Sequence, residues 1–207
     1  MCFSSDSSLF TFIIGIISSI LLFYYGNKKY NKENLSFGLF FIYVSFMQLF
    51  DYLFWNDLDN KKKINEKVTL IAPIFNYSQP SFLFISKSFV FKNFNLSLFS
   101  IINFIYLICI SMNYYNFITN EKELITTLKK NHLFWRWKKY LNIVFYLLLS
   151  ALNFFYLTQF KYSFIIYILG LIALLLSYFY FNYHFGEIWC FFVVVIPLIM
   201  IPVSYSI

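Results

Sequence analysis

From Leu35 to Trp55 the chain reads LSFGLFFIYVSFMQLFDYLFW, and its only strongly polar side chains are Gln48 and Asp51. About 20 apolar residues in one helix cross the hydrocarbon layer of a bilayer. A carboxylate in such a run is costly, and it faces protein or water rather than lipid. The rest of the sequence has the same character. It is 60% hydrophobic, 25% aromatic and 12% charged, where a soluble domain carries about 25% charge.

Apolar periodicity and length predict seven spans, at about 9–25, 35–57, 68–90, 94–115, 140–158, 163–182 and 187–205. The expected fold class is an all-α polytopic transmembrane bundle of seven helices, with residues 1–207 as a single membrane domain. The N-terminus, MCFSSDSS, has no basic residue before the first apolar run. A secretory signal needs one, so the first helix is expected to stay.

The net charge of +7 raises the question of nucleic acid. The lysines, however, sit in the short polar gaps between apolar runs, where membrane proteins keep them. The expected partner is therefore the lipid bilayer, with a second copy of the chain admitted and nucleic acid not expected. Ten basic residues fall in the connections that share a side with the N-terminus, against six on the other. That bias predicts a cytoplasmic N-terminus. The three cysteines, Cys2, Cys109 and Cys190, are widely spaced and form neither a disulfide framework nor a metal-binding pattern. No metal or cofactor is expected.

Gln48, Asp51 and Trp55 stand at i, i+3 and i+7, which puts them on one helix face. Tyr52 flanks the same stripe. The third span carries Pro73 and Pro80, with Asn76, Ser78 and Gln79 beside the second. Proline removes a helical hydrogen bond, so this span is expected to kink for packing or to open towards protein or a wet cavity. Gln48, Asp51, Trp55, Asn76, Gln79 and Pro80 form an expected polar centre.

Two other stretches bear chemistry. His184, Glu187 and Cys190 are spaced by threes and offer an imidazole, a carboxylate and a thiol. If helical they form a proton relay, a metal site or a nucleophile with its base, and if not they belong to a solvated turn. The run LKKNHLFWRWKKY alternates tryptophan with basic residues at 135–139. It is expected as an interfacial helix, or the start of a span, in the headgroup layer. Asn103 and Asn153, both mid-span, are expected to bridge helices. No lysine lies in the seventh span for a retinal, and no nucleophile-elbow, zincin or phosphate-loop motif is present.

With these residues in place, the chain resembles a group of seven-span membrane proteins encoded by large DNA viruses of protists and algae. The matching residues are Met47-Gln48-x-x-Asp51-x-x-x-Trp55, Asn65, Gln79-Pro80 and the Gly186-x-x-Trp189-Cys190 element. The group more often has Glu at the position of Asp51, and a small residue where this chain has Glu187. The resemblance implies a viral origin, a viral or host membrane and seven spans, and it implies no activity.

Three functions follow as expectations. The first is a structural or interaction protein of a membrane, in which the polar centre holds the helices together. The second binds or passes a proton or small ion at Asp51. The third is an intramembrane enzyme acting on lipid, which needs the second and seventh spans to be neighbours.

Overall fold

The computed structural model describes residues 4–129, 131–181 and 185–207. Its helices are α1 (Ser5–Tyr25), α2 (Asn31–Trp55), α3 (Ile64–Phe91), α4 (Leu98–Asn120), α5 (Ile143–Phe155), α6 (Phe160–Phe181), α7 (Phe185–Val193) and α8 (Ile196–Ser206). Five of them, α1, α2, α3, α4 and α6, are long and apolar enough to cross a membrane. Large apolar side chains such as Phe10, Phe104 and Phe179 stand exposed on α1, α4 and α6. Continuous apolar exposure of this kind suits a lipid solvent rather than water.

The expected fifth and seventh spans, 140–158 and 187–205, are not single long helices. α5 has 13 residues, a rise of about 20 Å against a hydrocarbon layer of about 30 Å. Asn142 sets its start by accepting from Phe145 N at 3.1 Å. Its end is closed by Lys87 of α3, whose ammonium donates to Asn153 O at 2.7 Å and Phe154 O at 2.5 Å. The seventh stretch is divided between α7 and α8 by a turn at Val194 and Val195. Pro197 explains the break: in a continuous helix its ring would meet the carbonyl of Val193. Ser18 of α1 donates to the turn at Val194 O, 2.9 Å away.

Of the two expectations for the third span, a kink or an opening, α3 excludes the opening. It runs unbroken through Pro73 and Pro80. Each proline loosens the ladder on its N-terminal side, and α4 supplies a hydroxyl at each place. Tyr114 donates to Leu70 O at 3.0 Å and Tyr106 to Tyr77 O at 2.7 Å, in both cases the carbonyl three residues before a proline. Asn153 of α5 adds a donor to Pro80 O at 2.9 Å. It also exchanges two hydrogen bonds with Asn103 of α4, at 2.9 and 3.1 Å. The two asparagines bridge helices as expected.

α1 packs on α2, α2 on α3, and α8 returns against α1. The first contact is close: a Cβ on Gly15 would lie 2.1 Å from Ser45 Oγ, so only glycine fits there. α7 also touches α2. The second and last parts of the chain are therefore neighbours.

The connection after α4 is the largest departure. It forms an antiparallel hairpin, β1 (Thr127–Lys129) and β2 (His132–Phe134), with Leu128 opposite Leu133. A 3-10 turn at Arg136–Tyr140 follows. Trp135 and Trp137 are 1% and 0% exposed, so they lie inside the protein, on a strand end and turn rather than on the expected interfacial helix. They pack with Met47, Phe54, Tyr77, Tyr106 and Phe117 in one apolar cluster at the end of the bundle where α1 begins. The segment 121–141 is a cap.

Candidate functional site: a buried polar centre under a hairpin cap

Helix α2 places Gln48 and Asp51 one turn apart on its inner face, and neither has any exposed surface. The cap reaches Asp51 directly. Trp135 Nε1 donates to Asp51 Oδ1 at 3.0 Å. Gln48 is different: both atoms of its amide are buried without a hydrogen-bond partner among the described residues. The indole nitrogen of Trp55 is likewise covered and unpartnered. Gln79 of α3 accepts from the Tyr146 hydroxyl at 2.6 Å, while its Nε2 has no partner. A buried polar atom without a partner costs about 1–3 kcal/mol. Each such group in a folded protein calls for an explanation beyond apolar packing.

The six residues expected at the centre divide into two groups. Gln48, Asp51, Gln79 and Pro80 are buried; Trp55 and Asn76 are partly covered. Pro80 contributes a carbonyl to Asn153 rather than an opened helix. Asn76 lines a partly open cavity of about 60 Å³, together with Trp135, Lys138, Tyr146 and Trp189. His184 lies outside the described residues, as does the Glu187 side chain. Cys190 is buried in the same apolar cluster as Tyr146. No group of three metal-ligating side chains occurs among the described residues.

The cap is anchored by residues that flank the centre. Asn65, at the start of α3, pairs with the backbone of Thr126 in both directions, accepting from its N–H at 2.8 Å and donating to its carbonyl at 2.9 Å. Thr69, one turn on, accepts from the same N–H at 3.2 Å. Tyr77 donates to Trp137 O at 2.6 Å. The two cap tryptophans stack, with ring centres 5.2 Å apart and planes 17° from parallel. Asn65 was legible as part of a motif. Its partner Thr126 carried no signal, because a backbone amide has no sequence signature.

Two carboxylates outside the helices fasten the connections near the cap, Asp57 between α2 and α3 and Glu121 at the start of the cap. Asp57 accepts from the N–H groups of Lys62, Ile64 and Asn65 at 3.0, 2.8 and 3.3 Å. Burial pushes its carboxyl up, and the three backbone donors outweigh that, holding it below the usual carboxylate range. Glu121 receives Lys139 at 2.5 Å and the Tyr140 hydroxyl at 2.9 Å. Burial raises this carboxyl too. The hydrogen bonds from Lys139 and Tyr140, with the charges of Lys139 and Arg136, lower it overall.

A second buried polar group lies at the other end of the bundle. Lys87 has no exposed surface. Besides the two α5 carbonyls, its ammonium lies 3.2 Å from Thr158 Oγ1 and 4.6 Å from the centre of the Phe37 ring. Nearby, Tyr162 donates to Asn34 at 2.5 Å. A single lysine near the end of an apolar run was the only sequence signal.

No family model, curated protein or solved structure matches the chain.

Proposed function

We propose that the chain is an integral membrane protein that crosses the bilayer seven times and serves a structural or interaction role. α5 and the α7–α8 pair act as the two short crossings. The packing of successive helices, α1 on α2, α2 on α3, α3 on α4 and α5 on α6, supports this count, as does the return of α8 against α1. The viral origin is likewise a proposal, resting on the short motifs around Gln48, Asp51, Asn65 and Gln79.

One observation carries the structural reading. Asp51 is closed from solvent and held by Trp135 of the cap. A carboxylate that serves a permeation path needs wet access from one side, whereas a dry, bonded one fastens two elements. Asp51 then joins α2 to the segment 121–141, and Gln79, Asn153 and Asn103 join α3, α5 and α4. The basic cap, with Arg136, Lys138 and Lys139, is the surface offered at that end of the bundle.

A second reading has its own support. The unpartnered amide of Gln48, one turn from Asp51, suits a held proton or small cation. The test is flux in reconstituted vesicles, run beside thermal unfolding in detergent. The structural reading expects no proton or cation flux above empty vesicles, and a lower melting temperature for Asp51→Asn. Flux in the wild type that Asp51→Asn abolishes would replace it with the ion-binding reading.

A further inference from the structure

The two ends of the bundle hold their charges differently. At the cap end cations meet acids: Lys61 with Asp59, Lys139 with Glu121, and Arg136 with Glu121 and Glu123. The connection from α1 to α2, at the other end, carries Lys28, Lys29 and Lys32, all exposed. None of these lysines forms an ion pair among the described residues. Lys29 and Lys32 lie over rings instead, 4.8 Å from the centre of Tyr30 and 5.4 Å from that of Phe91. A ring face attracts a cation without neutralising it. The acid on this connection, Glu33, is 5% exposed and accepts from Gln159 N at 3.3 Å. It offers the exposed lysines no counter-charge at the surface.

A trough between α1 and α2, of about 230 Å³, lies beside these lysines. Small residues form its floor. A Cβ on Gly38 of α2 would stand 3.1 Å from Ser19 O of α1, so the two backbones approach closely there. Ile20 of α1 and Leu35, Leu39 and Ile42 of α2 form apolar walls above that seam. The three α2 residues stand at i, i+4 and i+7, one stripe of the helix. Lys32, three residues before Leu35, extends the stripe by one turn beyond the trough. Tyr24, near the end of α1, lines the trough and is 69% exposed. Its hydroxyl forms no hydrogen bond among the described residues. Hydrocarbon walls that lead to a phenol and uncompensated cations are complementary to an anionic amphiphile.

We infer that this trough binds one anionic phospholipid of the surrounding bilayer, with an acyl chain laid along the seam at Gly38 and the phosphate met by Lys28, Lys32 and the Tyr24 hydroxyl. The inference rests on the reading of the chain as a membrane protein. It does not depend on whether Asp51 is structural or ion-binding, because the site lies at the opposite end of the bundle from the cap. A zwitterionic lipid fits the same walls but gains less from the lysines.

The test is native mass spectrometry of the full chain in an uncharged detergent, titrated with phosphatidylglycerol and with phosphatidylcholine of the same acyl chains. The first phosphatidylglycerol is expected to bind with a dissociation constant about tenfold lower than the first phosphatidylcholine. Lys28→Gln with Lys32→Gln, both at exposed positions, is expected to bring the two constants within about twofold of each other. Lys62→Gln with Lys67→Gln removes the same charge from exposed positions at the cap end, and the tenfold preference is expected to remain. Glycerophosphate, a headgroup without acyl chains, is expected to bind at least about a hundredfold more weakly than phosphatidylglycerol. Equal constants for the two lipids in the wild type overturn the inference. So does a preference that survives the Lys28 and Lys32 changes, or one that the Lys62 and Lys67 changes abolish as fully. Glycerophosphate binding as tightly as the lipid would overturn the role of the trough. Failure of the membrane reading itself would show separately, as a chain that stays in solution without detergent or lipid.

Discussion

Trp135 and Asp51 are 84 residues apart in the chain, and the indole N–H of one meets the carboxylate of the other at 3.0 Å inside the protein. This contact ties the cap to α2, and it defines what the buried carboxylate does. The contacts around it determine how firmly the cap is held, and each can be tested.

Asn65 is the strongest anchor of the cap's first strand. Asn65→Ala removes both hydrogen bonds to Thr126 and leaves a buried N–H and carbonyl without that partner. The expected loss is about 1–3 kcal/mol. Hydrogen exchange should rise across 121–141 and stay unchanged in α1, which is measurable by mass spectrometry on the detergent-solubilised chain.

Lys87 closes the end of α5. Lys87→Met keeps the length of the side chain but leaves Asn153 O and Phe154 O without their donor. Leaving a buried acceptor without its donor costs about 1–3 kcal/mol. The melting temperature should fall more for Lys87→Met than for Lys87→Arg, which retains donors.

Tyr106 and Tyr114 support α3 at its two prolines. Tyr106→Phe should cost about 1 kcal/mol, and Tyr114→Phe less, because Tyr106 is 2% exposed and Tyr114 is only partly covered. Adding Pro80→Ala to Tyr106→Phe, or Pro73→Ala to Tyr114→Phe, removes the ring that loosens the adjoining ladder and should recover part of the loss in thermal unfolding.

Asp57, along with Glu121, should contribute to the acid response. Its carboxyl titrates below the usual range in the folded protein, so it binds protons more readily when unfolded. Its contribution is therefore present above the unfolded value of about 3.9. It is lost as pH falls through the lower folded value. A melting-temperature profile from pH 7 down to 3 should drop at its acid end, and the drop should be smaller in Asp57→Asn.

Much of the centre was legible because polar residues stand out in apolar runs. Gln48, Asp51 and Gln79 are buried where a costly side chain must be. Helix spacing alone put the first two on one face. The cap was not legible as a cap, since two strands of three residues leave almost no pattern. Yet Leu133, Trp135 and Trp137 are buried while Phe134, Arg136 and Lys138 are partly covered. That is a period of two, the sign of a half-buried extended segment. Alternating tryptophan and basic residues read equally well as a headgroup belt, and only the neighbouring surface decides between them. The prolines left two readings open: Pro73 and Pro80 in isolation allow a kinked helix or an opened one, and the hydroxyls beside them in the continuous α3 come from α4. At Pro197 a hydroxyl is supplied as well, from Ser18 of α1 to Val194 O, and there the helix breaks all the same.

The most direct test of the joint between cap and bundle is a double-mutant cycle on Asp51→Asn and Trp135→Phe, read as unfolding free energy in detergent. Each single change should destabilise by about 1–3 kcal/mol. The double variant should lose less than the sum of the two, with a coupling of about 1 kcal/mol or more. Strict additivity would contradict a carboxylate whose task is to hold the cap.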